Sequence, residues 1–140
     1  MAKYDAYGTT FYIGTSGGGT AVAQVQSVSG PGLSVDTEDV TTMDSTDAWE
    51  EVVPTIKRSG EITLELVYDP AHATHKNASG GLLYNFDQRA SGTYTLVFPD
   101  AASTEWVFTA YVTGYEPDMP VDGALAASVT LKPTGDVTLA

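Results

Sequence analysis

Alternation with a period of two is the feature that most constrains this chain. In "EITLELVYD" (residues 61–69), Ile62, Leu64, Leu66 and Tyr68 fall on one side, and Glu61, Thr63, Glu65, Val67 and Asp69 on the other. Only an extended strand with one buried and one wet face sorts its residues this way. The pattern recurs. "TYTLVFPD" sets Tyr94, Leu96 and Phe98 against Thr93, Thr95 and Val97, and "ALAASVTLKPTG" sets Leu125, Ala127, Val129 and Leu131 against Ala126, Ser128, Thr130 and Lys132. In "EWVFTAYVTGYEP", Trp106, Phe108, Ala110 and Val112 oppose Val107, Thr109, Tyr111 and Thr113, a semi-apolar second face that predicts cover on both sides. "TTFYIG" (9–14) and "AVAQVQSVSG" (21–30) are two earlier strand candidates. Gly-rich turns at 17–19 and 29–32, and Pro99-Asp100, punctuate the runs. The reading is mainly β: a sandwich or barrel of about six to seven strands rather than an alternating βαβ fold.

Two segments carry helical signals. Asp47 with Glu50 three residues later resembles a capping box, and Pro54 would stop that helix after one or two turns. Within residues 70–90, Leu82, Leu83 and Phe86 form an apolar stripe, but Gly80-Gly81 delays its start to near Ser79. Both segments are helix candidates, and the expected fold is strands with one flanking α-helix.

A chain of 140 residues suits one domain, spanning 1–140, with a real core. Six Lys and Arg against 18 Asp and Glu give a net charge of −12, which works against attraction to nucleic acid or anionic membrane. With no cysteine, no disulfide, thiol nucleophile or thiolate metal site can form. No apolar run reaches membrane-spanning length, and the N-terminus has no apolar signal core, so membrane insertion and ordinary secretion are not expected.

Templates for chemistry fit poorly. "VDTEDVTTMDSTDAWEE" (35–51) gathers seven acids without Lys or Arg, yet no register puts Gly at the sixth position that an EF-hand loop needs. His72 and His75 supply two zinc ligands where a structural site takes four, and they read as surface histidines. "GTSGGGT" (14–20) lacks the Lys-Ser/Thr ending of a P-loop and precedes a strand. Glu61 and Glu65 share a strand face but stand roughly 13 Å apart, too far for a glycosidase pair. The expectation is no enzyme, no metal and no cofactor. A calcium-dependent adhesion or carbohydrate-binding β-sandwich is the alternative function, and a hydrolase a weaker third. Most aromatics read as core. Trp49 does not: it lies among acids and needs an apolar dock, in its own core or on a neighbour.

The order of segments carries a resemblance. "SVSGPGLSVDTEDVTTMDSTDAWEEVVPTIKRSGEITLELVYDP", then "YTLVFPD", "WVFTAYVTGYEP" and "ASVTLKPTG", resembles the tail tube (major tail) proteins of long, non-contractile-tailed bacteriophages of the lambda-like group, over about residues 10–134. The resemblance implies a fold akin to the type VI secretion tube and a structural role in the virion tail, assembled in the host bacterial cytoplasm. It implies hexameric rings that stack into a hollow tube, which conducts DNA during ejection without binding it specifically. It also implies partners: further copies of the chain, a tape-measure protein, a tail-tip initiator and a tail terminator. Some relatives carry an immunoglobulin-like C-terminal domain, which is not expected in residues 1–140.

On that resemblance, the candidates for an acidic channel lining are Glu61, Thr63 and Glu65, with Gln24 and Gln26 beside them. The candidates for ring-to-ring contact are Asp36, Glu38, Asp39, Met43, Asp44, Asp47, Trp49, Glu50 and Glu51, on a long acidic loop with Met43 and Trp49 as apolar anchors. Lys57 and Arg58 follow it, either as partners for a neighbour's acids or as local charge balance.

Overall fold

The structure, a computed structural model, describes residues 3–15 and 19–139. Among these described residues nine strands and one α-helix follow in the order β1 (Thr10–Ile13), β2 (Thr20–Ala21), β3 (Val25–Ser29), β4 (Ser34–Asp39), β5 (Val52–Arg58), β6 (Ile62–Val67), α1 (Leu82–Asp87), β7 (Ser91–Val97), β8 (Glu105–Asp118) and β9 (Ala126–Leu139). Seven strands form one sheet in the order β2-β1-β7-β8-β9-β6-β3, and β4 and β5 pair separately as a ribbon. All pairings are antiparallel. Of the Gly-rich turn at 17–19, residues 17 and 18 lie outside the described residues.

The sheet has to curl. Its two edge strands are β2 and β3, and only residues 22–24 join them. Seven flat strands would set those edges about 29 Å apart, whereas a link of that length reaches about 14 Å. The sheet therefore rolls into a half-barrel, and the alternation decides which face turns inward. Ile62, Leu64, Leu66, Tyr94, Val129 and Leu131 are completely buried on the concave side, with Phe11, Leu96 and Phe108 nearly so. Phe11, Tyr94 and Phe108 meet at ring-centroid distances of 5.8–6.2 Å. Leu82 of α1 closes this core. The helix starts at Leu82 with Gly81 as its N-cap, later than Ser79, because the backbone at Gly80 takes a φ of +90° that no helix accepts.

Three expectations change. The predicted helix after Asp47 is a single 3₁₀ turn, Thr46–Ala48, because Asp47 and Ala48 take positive φ of 55° and 60°. Pro54 does not end a helix but sits inside β5, where a two-stranded ribbon leaves its missing N–H without cost on the open side. The second face of β8 is not covered on its whole length: Tyr111 and Thr113 are exposed.

The β7–β8 hairpin closes through one carboxylate. Thr104 donates from N to Asp100 Oδ1 at 2.7 Å and from Oγ1 to Oδ2 at 2.6 Å. The Thr104 hydroxyl, then its amide, hold the Asp100 pKa below the ordinary carboxylate value. A lowered folded-state pKa means stability that is present above about pH 4, the unfolded value, and lost as pH falls through the folded one. Asp100→Asn should flatten this acid limb in denaturant-unfolding free energies measured against pH, and an unchanged limb would place the acid sensitivity elsewhere. Leu64→Ala, at a fully buried position, should cost about 2–5 kcal/mol in the same assay.

Candidate functional site

Two surfaces stand out, and neither is a catalytic cleft. The first is the ribbon. Residues 33–58 leave the sheet, run out along β4 and return along β5, and apart from Asp36 and Ser45 every residue is exposed. Glycines make its base possible: Gly30 and Gly60 take φ of +99° and +60°, and a Cβ on Gly60 would lie 2.8 Å from the Gly32 carbonyl oxygen. The ribbon's tip is tied by its own side chains. Thr41 Oγ1 accepts from Glu51 N–H at 2.8 Å, and Ser45 Oγ accepts from Thr42 N–H at 3.0 Å. The acids follow the same rule. Asp39 Oδ1 accepts from Thr41 N–H at 2.9 Å, and the Thr41 hydroxyl and amide lower the Asp39 pKa. Asp36, the single residue opposite the β5 bulge at Thr55 and Ile56, accepts from Arg58 Nε at 2.8 Å. Arg58 is thus spent on local charge balance in an exposed ion pair worth little by itself. Lys57 lines a cleft at the ribbon's base with Leu33, Val35, Asp136 and Leu139.

Apolar side chains on the ribbon stay largely uncovered by their own subunit. Met43 is fully exposed and Trp49 is 72% exposed; Val35, Val52, Val53 and Ile56 are about half exposed. This answers the question that Trp49 posed: its own core does not receive it. The remaining ribbon acids, Glu38, Asp44, Asp47, Glu50 and Glu51, are exposed on the same ribbon. Among the described residues, no group of three or more His, Asp or Glu is placed to hold a metal ion.

The second surface is the outer face of β3, β6, β9 and the far half of β8. Cross-strand pairing lines up Ser27, Glu65, Ser128 and Glu116 in one row. Ser29, Thr63, Thr130 and Gly114 make the next row. Ser27 Oγ donates to Glu65 Oε2 at 3.3 Å. Gln26, extruded at the bulge between Val25 and Ser27, joins Glu65, Glu116 and Asp118 around a shallow depression with no basic group in it. Of the residues singled out in the sequence, Gln26, Thr63 and Glu65 come together here. Glu61 is exposed just before β6, at the ribbon end of the face. Gln24 lies in the 22–24 link with φ +58°, its carbonyl accepting from Val67 N–H at 2.9 Å.

Sequence reasoning missed Glu116 and Asp118. A register shift between Val112 and Gly114 reverses the alternation, so Tyr115 turns into the core and Glu116 faces out. Gly114 within a strand run was the available signal, since glycine inside a strand often marks a bulge. The histidines were misread as well. His75 is completely buried and His72 half-buried.

Comparison with known proteins agrees with this geometry. A family model described as the lambda phage tail tube protein matches residues 3–140. Among solved structures, the tail of an empty gene transfer agent (GTA) particle, refined with C6 symmetry, aligns over 99% of both chains at 13% identity with a TM-score of 0.76. The virion of a native GTA particle aligns over 93% of this chain and 95% of that one, at 13% identity and a TM-score of 0.73. The sheath/tube terminator of an extracellular contractile injection system covers 100% of this chain and 98% of its own, at 16% identity and a TM-score of 0.72. No curated protein sequence matches the chain significantly. These structures share the fold, a mainly β half-barrel with one short helix. With a polar strand face, an unpartnered ribbon and a family match along its length, the chain belongs to the lambda phage tail tube protein family, as a structural subunit of the virion tail.

Proposed function

We propose that this chain forms hexameric rings that stack into a tube, with the acidic outer face of β3, β6, β9 and β8 lining a channel for DNA. One observation carries the ring. The four-stranded part of the sheet has an unpaired strand on each side. Among the described residues β3 pairs with β6 alone, and β7 stops at Ser91↔Tyr111, so residues 114–118 of β8 pair with β9 alone. Two open edges invite pairing between chains. Four antiparallel strands per subunit run alternately, so β3 of one copy meets β8 of the next in the antiparallel sense. The contact joins different patches on the two copies, and such contacts close into rings. Six copies give a barrel of 24 strands, roughly 37 Å across between backbones before tilt is added. The six-fold symmetry of the GTA tail supports that number.

The core occupies the concave face of each subunit, so the face turned to the channel is the small, polar and acidic one. Phosphates repelled along the wall slide rather than adhere. A tape-measure protein would occupy the same channel before DNA does. Terminator, cap and baseplate components accompany the tubes of the structural neighbours, and a tail-tip initiator and a terminator are the matching partners here. The ribbon reaches the adjacent ring, with Met43 and Trp49 as its anchors. Residues 1–140 act as a single tail tube domain in this arrangement.

Negative-stain electron microscopy at high protein concentration should show six-fold rings and stacked tubes. A protein that stays monomeric even with its tail-tip initiator and tape-measure protein sinks the proposal. Trp49→Ala should leave subunit unfolding within about 0.5 kcal/mol of the parent while shortening or dissociating the tubes, and tubes of normal length and salt resistance would remove Trp49 as an anchor. Replacing Glu65, Glu116 and Asp118 together by Lys should make assembled tubes retain duplex DNA on sedimentation, with retention lost at high salt. Retention equal to the parent's would show that this face does not line the channel.

A further inference from the structure

The chain has two histidines, and the structure uses both as hydrogen-bond acceptors in one loop, residues 69–81. Asp69 N–H donates to His75 Nδ1 at 3.2 Å, so the ring hydrogen sits on Nε2, which donates to the Ala23 carbonyl at 2.7 Å. His72 Nδ1 accepts from Thr74 N–H at 3.2 Å and from Thr74 Oγ1 at 2.9 Å. The Thr74 hydroxyl oxygen in turn accepts from Ala23 N–H at 3.3 Å. Both polar backbone groups of Ala23 are therefore held by this loop. Ala23 is the middle residue of the link that leads into the edge strand β3. From the other side, Tyr115 Oη donates to the His75 backbone carbonyl at 3.1 Å. Tyr115 belongs to the open-edged half of β8. One loop thus braces both strands that the ring reading assigns to subunit contacts, and His75 and Thr74 are buried at its centre.

The surroundings hold few charges. Tyr68, just after β6, lies 6.0 Å from His75 between ring centroids, and His72 lies 5.4 Å away. Tyr115 approaches from β8. On the loop itself, Asp69 Oδ1 accepts from Ala71 N–H at 3.0 Å, and Lys76 is exposed. Asp87 of α1 accepts from Asn77 Nδ2 at 3.3 Å and is exposed. The 22–24 link carries no titratable side chain.

A second proton on His75 has one place to go, Nδ1. There it turns an acceptor into a donor that faces the Asp69 N–H. His72 meets the same conflict with Thr74. We propose that the two histidines form a proton-operated clasp. Acidification releases residues 69–81 from Ala23, the edge strands lose their shared brace, and the ring contact opens. This rests on the ring reading above, with His75 acting as a positioning residue for the two edges.

The test compares assembled tubes of the parent and of His75→Gln. Glutamine can accept from Asp69 and donate to Ala23, and it does not titrate. On transfer from about pH 7.5 to about pH 5, parent tubes should release several-fold more free subunit on sedimentation than the glutamine variant. Equal release by both, or none by the parent, overturns the clasp. Should His75→Gln not fold, amide exchange on the parent free subunit decides. Asp69 N–H should be protected at neutral pH and lose that protection, after correction for intrinsic rates, as the histidines are protonated. Protection that does not depend on pH in that range overturns the proposal. A parent protein that forms no tubes at neutral pH counts against the ring reading, and the amide measurement still judges the clasp.

Discussion

The three-residue link between β2 and β3 is the constraint on which the rest of the molecule depends. It fastens the two edges of a seven-stranded sheet closer together than a flat sheet allows, so the sheet rolls. Rolling creates an inside, which the apolar half of each alternating strand fills, and an outside, which the polar half covers. It also separates the strands by role. β1, β7 and the first half of β8 form one wall of the half-barrel. β3, β6, β9 and the rest of β8 form the other, which among the described residues has an open strand edge on each side, at β3 and at the far half of β8. A fully closed barrel would have had no edges to offer a neighbour.

The ribbon follows from the opposite condition. An isolated two-stranded hairpin is marginal in water, and this one adds an exposed tryptophan and methionine to the difficulty. Its internal bonds, from Thr41, Ser45 and Asp36, fix its shape at little net gain because all are solvent-exposed. What remains unsatisfied is apolar area. Membership of a tail tube family supplies the context for the proposed ring-to-ring contact, in which a surface that is costly in isolation would become contact area.

The fold was largely legible because alternation is a local property. Ile62, Leu64, Leu66, Tyr94, Val129 and Leu131 were placed inside by pattern alone, and all are fully buried. The ribbon strands were not legible, because β4 and β5 have no buried face and hence no alternation to read. Their propensity signals were also misleading: Asp47 and Pro54 have helix-boundary chemistry but stand in a turn and an edge strand. The site was legible only in part. Glu65 and Thr63 follow from the period of two, whereas Glu116 and Asp118 depend on a bulge that inverts it. His75 was hidden for another reason. Its burial comes from partners 52 residues upstream and 40 downstream, Ala23 and Tyr115, which no local pattern connects.

The acids divide according to what they face, and this explains why so negative a chain can polymerise. Seven lie in residues 36–51, where Asp36 is neutralised by Arg58 and Asp39 is held by backbone and hydroxyl donors. Such charge is local, exposed and screened within about 8 Å at physiological salt, so it does not forbid the proposed contact through Trp49 and Met43. Glu65, Glu116 and Asp118 are different. They converge from β6 and β8, the two strands that flank β9, around one depression with no basic group in its lining. On a free subunit that arrangement gains nothing. On the proposed ring it would repeat around the wall with the small side chains of Ser27, Ser128 and Thr130 among the carboxylates, directing the repulsion into the channel rather than across the subunit contacts.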